Sequence, residues 1–172
     1  VLSATDIRSL FEALDGELAK TETRAELYVL GGAVMCLVFA ARPSTKDVDG
    51  YFTPTARVRE AARRVALHRD VPENWLNDAA KGYLSNRGDF APFLDLSHLR
   101  ILTATPEYLL ALKCLAMRLG AEFHDEADVR FLLRYLNLTR IEAVQEILAR
   151  YYPLERFPPK TFFALEEMLG GA

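Results

Sequence analysis

With 172 residues, 51% hydrophobic and 26% charged, the chain is long enough for a domain with a continuous core, and its composition excludes disorder, fibre and repeat architectures. A formal charge of −3 gives no global pull towards nucleic acid or anionic membrane, so a polyanionic partner has to be gripped locally. The most apolar segment, residues 27–41, is about fifteen residues long, short of the roughly twenty that a membrane helix needs, and no membrane span is expected.

In chain order, Ile7, Leu10, Phe11, Leu14 and Leu18 recur at spacings of three and four, which predicts an amphipathic helix over residues 6–18 capped by Ser3 or Thr5. Residues 26–30 form a short β-rich run stopped by Gly31-Gly32, and residues 33–41 continue as good helix formers: strand, tight turn, helix. Arg42-Pro43-Ser44-Thr45 breaks that helix. Residues 46–52 then alternate as a strand with one polar face, and Pro54 marks the start of a basic amphipathic helix over residues 57–68. A second helical piece is expected from Pro72, carrying Trp75 and Leu76, then a loop over residues 82–92 and a strand over residues 99–103.

Pro106 suits the first turn of a strongly apolar helix to Leu119. Three more helices follow: residues 125–136, residues 139–150 with a capping box Thr139-x-x-Glu142, and residues 159–169. The chain begins α/β and ends all-α, with residues 1–104 as a core and residues 105–172 as a helical region packed on it in one compact unit. Cys36 and Cys114 lie in apolar stretches without metal-ligand spacing, and no secretory leader pattern is present; both fit a cytoplasmic protein.

One constellation stands out chemically. Residues two apart on a strand share a face, about 6.6 Å apart along it, so Asp47 and Asp49 can hold a divalent cation between them; oxygen donors favour Mg²⁺ or Mn²⁺. Two like charges on one face repel unless a cation lies between them, although an exposed strand edge explains the same tripeptide. Upstream, bare backbone at Gly31-Gly32 can approach a phosphate, or can serve as a plain turn.

This arrangement, a strand, Gly31-Gly32, then Arg42-Pro43-Ser44-Thr45-Lys46-Asp47-Val48-Asp49, resembles the polymerase-β-type nucleotidyltransferase superfamily. Pro106 to Lys113 and His124-Asp125-Glu126-Ala127-Asp128 resemble the lysine and aspartate motifs of AbiEii-like minimal nucleotidyltransferases, and the resemblance spans roughly residues 27–133. It implies a small nucleotidyltransferase-type sheet flanked by helices, with Asp47 and Asp49 binding Mg²⁺ and Gly31 and Gly32 contacting a nucleoside triphosphate. Arg42 and Thr45 would flank the site and Lys113 and Asp128 complete it, with Asp95 as candidate third carboxylate. Gly32 stands where many relatives carry serine and His124 where an arginine often precedes the helical aspartate, which implies a weaker grip on phosphate.

The resemblance implies transfer of a nucleoside monophosphate from the triphosphate to an acceptor hydroxyl; its toxin members suggest tRNA or a protein as acceptor and an antitoxin partner, with a small molecule such as an antibiotic as the less favoured acceptor. The alternative is a nucleotide-binding or protein-interaction module that keeps the fold without turnover. Asp125 is expected to cap its helix. Arg57, Arg59, Arg63, Arg64 and Arg69 form a basic face that either guides phosphates or is simply solvated. His68, His98 and His124 lack ligand spacing, and Tyr151, Tyr152, Phe157, Phe162 and Phe163 read as packing.

Overall fold

Ser3 opens the first long helix. Its hydroxyl accepts from the Asp6 amide at 3.1 Å while the Asp6 carboxylate accepts from the Ser3 amide at 2.8 Å, a reciprocal cap that satisfies two helix-start donors. Of the two caps that the sequence offers, the helix uses Ser3 and not Thr5. In the computed structural model, which describes residues 1–120 and 123–170, the fold is mixed α/β and falls into two compact units. The first comprises Val1–Gly82 and Phe90–Ala104, the second Tyr83–Asp89 and Thr105–Ala172.

The first unit runs β1 (Leu2–Ser3), α1 (Ala4–Lys20), β2 (Ala25–Leu30), α2 (Gly31–Leu37), β3 (Ser44–Thr45), β4 (Val48–Thr53), α3 (Thr55–Arg69), β5 (Leu76–Asn77), β6 (Phe90–Asp95) and β7 (Leu99–Ala104). Its sheet has the order β5-β4-β2-β7-β6. β2 lies in the middle, antiparallel to β4 with Leu30 opposite Asp49, and parallel to β7 with Val29 beside Thr103. β1 and β3 form a separate two-stranded ladder, Leu2 opposite Thr45.

The two sheet faces differ. Leu27, Val29, Phe52, Leu99 and Ile101 are almost fully buried on one, where α1 and α3 contact the strands. Each such side chain contributes roughly 1.5–3 kcal/mol on burial, so this face is the core of the unit. The other carries Asp49, Tyr51 and Thr53 from β4, Glu26 and Tyr28 from β2 and Arg100 from β7, all partly or well exposed, beside buried Leu30, Leu102 and Ala104. Glu17 of α1 is buried where the helices meet, taking Lys20 at 2.9 Å and Arg64 of α3 at 3.1 Å.

Two sequence expectations fail here. The segment after Pro72 is a turn leading into β5, because Val48 donates to the Trp75 carbonyl at 2.7 Å and draws the chain into the sheet. Trp75 itself is buried and donates through Nε1 to the Ala62 carbonyl of α3 at 3.0 Å, a core anchor. The expected loop over residues 82–92 ends early, because Phe90–Asp95 pairs with β7 as an edge strand. Pro92 hid it from pattern reading, and edge strands are where proline is tolerated.

The second unit consists of α4 (Pro106–Leu115), α5 (Asp125–Tyr135), α6 (Ile141–Tyr151) and α7 (Pro159–Gly170) with the segment Tyr83–Asp89. Thr105 caps α4 and Pro106 takes its first turn. The segment is held by its hydrogen bonds: the Ser85 amide donates to the Tyr108 hydroxyl at 3.0 Å, the Ser85 hydroxyl donates to the Tyr151 carbonyl, and the Tyr152 hydroxyl donates to the Tyr83 carbonyl. The proposed capping box at Thr139 is not formed. α6 begins at Ile141 after Arg140, with no side-chain cap. α4 ends at Leu115, four residues short of the expected Leu119, and α2 at Leu37, four short of Ala41.

Gly50 sits in the buried face of β4, where an added Cβ would come 2.9 Å from the Tyr28 carbonyl oxygen and 3.0 Å from Leu27. A backbone oxygen cannot swing away. Gly50→Ala is therefore expected to destabilise the protein by about 1–3 kcal/mol, seen as a lower denaturant midpoint at unchanged m-value.

Candidate functional site

β2 ends at Leu30 and the chain turns at Gly31 with φ +63°, a left-handed conformation that costs an L side chain roughly 1–2 kcal/mol. A Cβ there would also lie 3.1 Å from Asp49 Oδ2. At Gly32 the demand is spatial: a Cβ would come within 2.7 Å of both Arg42 Nη2 and Thr45 Oγ1. The room that a serine side chain would need at residue 32 is thus taken by a guanidinium and a hydroxyl of the same chain. Thr45 is held there by β3, pinned to Leu2 of β1.

Asp49 follows from the register. It is half-buried on β4, opposite Leu30 and beside Asn77 of β5, so its carboxylate lies against the bare Gly31 turn. Asp47 lies one residue before β4, in the bend that leads from β3, and is also half-buried. The expected strand over residues 46–52 is thus observed as β4, Val48–Thr53, with Asp47 just outside it. Gly31, Gly32, Arg42, Thr45 and Asp49 are brought together at one corner of the sheet.

Asp95 does not join them. It pairs with Arg100, which lies beside Glu26, four residues along β2 from Leu30 and so about 13 Å from the Asp49 row. On the face shared with Asp49, β7 carries Leu102 and Ala104, both buried and apolar. The donor set at the corner is oxygen, from the Asp49 carboxylate and the Thr45 hydroxyl, with Asp47 in the adjoining bend. It fits Mg²⁺ or Mn²⁺, which commonly take one or two protein carboxylates and complete their shell from water and phosphate. Among the described residues no three His, Cys, Asp or Glu side chains gather around a single point.

In the second unit Lys113 and Asp128 find each other. Lys113 Nζ lies 2.6 Å from Asp128 Oδ2, their side chains 9% and 3% exposed, so the lysine does not snorkel as its apolar helix suggests. A second pair adjoins: Arg118 donates to Asp125 through its amide at 3.0 Å and Nε at 2.9 Å. Asp125 is thus braced by Arg118 and does not supply the expected cap, and α5 has no side-chain cap. Burial alone would raise the Asp125 carboxyl, but the two Arg118 hydrogen bonds, with the nearby Lys113 charge, outweigh it and hold it below the usual aspartate value.

The basic face of α3 is largely neutralised. Arg59 pairs with Asp78 at 2.9 Å, Arg63 with Glu73 at 2.7 Å, Arg64 with Glu17 and Glu60, and Arg69 donates to the Ser9 hydroxyl at 3.1 Å. Three of the five arginines are thus charge-matched, while Arg57 is exposed and Arg69 bonds a neutral hydroxyl. Cys36 and Cys114 are buried thiols, and burial pushes Cys114 up to about 12, which leaves it inert as a nucleophile. Tyr152 and Phe157 are buried and Phe162 packs edge-on against Phe157, as expected for packing aromatics, whereas Phe163 is 71% exposed.

Removing one partner of a buried ion pair strands the other. Lys113→Met is expected to cost about 3–5 kcal/mol in denaturant unfolding, and Lys113→Met with Asp128→Leu to recover most of it. The Arg118–Asp125 pair predicts a pH dependence. A carboxyl with a depressed folded pKa stabilises above its unfolded value and loses that contribution as pH falls through the folded one. Arg118→Gln should lower stability at pH 7, with the gap to the wild type closing below the ordinary value of 3.8, in unfolding curves taken across that range.

Comparison of the chain with family models, with curated proteins and with solved structures found no match, so its functional reading rests on the geometry of these residues.

Proposed function

We propose that the chain is a metal-dependent nucleotidyltransferase of the polymerase-β type, similar to the AbiEii-like branch, transferring a nucleoside monophosphate from a nucleoside triphosphate to a hydroxyl of tRNA or a protein. The observation that carries this reading is the Asp49 carboxylate lying against the bare Gly31 backbone, with Asp47 two residues before it. A phosphate can approach backbone closely only where no side chain intervenes, and a carboxylate repels phosphate unless a cation sits between them. Both conditions meet at one corner.

In the transfer, the acceptor oxygen bonds to the α-phosphorus as the α–β anhydride bond breaks and pyrophosphate leaves, the hydroxyl proton passing to a carboxylate or to water. Bound divalent metal would neutralise charge on the phosphates and orient them. The roles of this chain are to hold: Asp47 and Asp49 supply oxygen ligands, Gly31 and Gly32 admit the phosphates, and Arg42 and Thr45 back the turn. Lys113 and Asp128, matched to each other, are read as bracing the helical unit, and they enter no step. A toxin-like role would bring an antitoxin protein as partner. Among the described residues no helix is long and apolar enough to cross a membrane.

A second reading has its own support. Leu102 and Ala104 stand where β7 could offer a third carboxylate, and Arg42 and Thr45 fill the space beside Gly32. Both favour a module that binds nucleotide without turning it over.

Thermal unfolding with each nucleoside triphosphate, with and without Mg²⁺, tests both. At a hundredfold excess over Kd, a metal-dependent rise of roughly 5–10 °C is expected for the wild type and none for Asp47→Asn, which removes a charged ligand at constant volume. Release of labelled pyrophosphate with a transferred label supports the transferase, and a rise without it supports the binding module. No rise with any nucleotide rejects both.

A further inference from the structure

The sheet face that bears Asp49 carries an aromatic row that the reading above leaves unused. Tyr51 of β4 stands directly opposite Tyr28 of β2, ring centroids 5.8 Å apart, and Phe90 of β6 meets Tyr28 edge-on at 5.0 Å. Tyr51 is two residues beyond Asp49 on the same face, about 7 Å along the strand. We propose that Tyr51, braced by Tyr28, is the platform on which the base of the bound nucleotide stacks. The proposal rests on the nucleotidyltransferase reading of the Asp49 corner and adds where the other end of the nucleotide lies.

Three observations support it. First, Tyr51 is 38% exposed although it sits well inside a six-residue strand next to the middle of the sheet, so its ring offers surface that packing does not require. Second, Tyr28 is fixed on several sides: half-buried, held edge-on by Phe90, its hydroxyl donating to Glu26 Oε2 at 3.3 Å. A fixed ring beside an open one favours a flat ligand, because little side-chain entropy is lost on stacking. Third, the spacing is right for one nucleotide: phosphates at the Gly31 turn leave the ribose to bridge to the next pair along the same face.

Beyond the tyrosines the face turns polar. Glu26, Thr53 and Arg100 follow on the same face and are among the residues that line a groove of about 720 Å³ at that end of the sheet, Arg100 Nη1 lying 3.9 Å from Glu26 Oε2. The face thus reads, from one end to the other, as carboxylate and bare backbone, then aromatic rings, then mixed polar groups. A nucleotide has the same order of phosphate, base plane and base edge.

Calorimetric titration of Mg²⁺–nucleoside triphosphate and of Mg²⁺–tripolyphosphate, which lacks the base, separates this proposal from the reading on which it rests. For Tyr51→Ala, affinity for the nucleotide should fall about 5- to 150-fold, the range typical of one lost base–aromatic stack, while tripolyphosphate affinity stays unchanged and reports an intact fold and phosphate site. Tyr51→Trp should keep the nucleotide affinity. Loss of both affinities together, or of neither, in Tyr51→Ala overturns the platform and leaves the phosphate site standing. A wild type that binds tripolyphosphate as tightly as nucleotide also overturns it. A wild type that binds neither overturns the nucleotide reading, and the platform with it.

Discussion

The antiparallel pairing of β2 with β4 is the constraint on which the rest of the first unit depends. It sets Leu30 opposite Asp49, which brings a carboxylate against the turn that β2 runs into. A slip of one residue would turn Asp49, Tyr51 and Thr53 into the core and put Val48, Gly50 and Phe52 in water. The buried face prevents that slip, since Phe52, Leu27 and Val29 are all nearly inaccessible. The hydrophobic core and the candidate site are thus fixed by the same hydrogen-bond ladder, one on each face.

The two glycines differ physically. Gly31 is needed for its backbone conformation and lies close to Asp49, whereas at Gly32 an added side chain would have to displace the Arg42 guanidinium and the Thr45 hydroxyl. Thr45 in turn depends on the short β1–β3 ladder, so the first residues of the chain help to shape a corner formed some thirty residues later. Charge is managed in the same local manner. Three of the basic side chains on α3, Arg59, Arg63 and Arg64, are matched by Glu17, Glu60, Glu73 and Asp78.

The second unit follows a different rule. Its helices carry a buried Lys113–Asp128 pair with Arg118–Asp125 beside it, and such pairs contribute little net stability while penalising any arrangement that separates them. The Lys113–Asp128 pair joins α4 to α5, and Arg118–Asp125 ties the segment after α4 to the start of α5. The segment Tyr83–Asp89 belongs with these helices because Ser85 and the Tyr83 carbonyl bond to Tyr108, Tyr151 and Tyr152, although in sequence it lies between strands of the other unit.

The sequence by itself determined the long helices, the two central strands and the Gly31-Gly32 turn, because apolar periodicity and glycine act over a few residues. The expected pairing of Asp47 with Asp49 on one strand face is not formed as such, because β4 begins at Val48 and leaves Asp47 in the bend before it. Tertiary structure decided what depends on pairing between distant segments. Leu76 and Asn77, expected in a helix, form a strand only through β4, and the first residues of β6 fall in the expected loop because Pro92 suits only an edge, which the sequence cannot identify. Asp95 is a candidate third carboxylate only under the family resemblance, and the β6–β7 register puts it at the far end of the sheet. Lys113 and Asp128, fifteen residues apart, meet only when α4 and α5 pack, and Tyr28 and Tyr51 become one aromatic surface only when their strands align. Local physics writes the elements, and which side chains share a site is set by contacts between segments that no short stretch of sequence encodes.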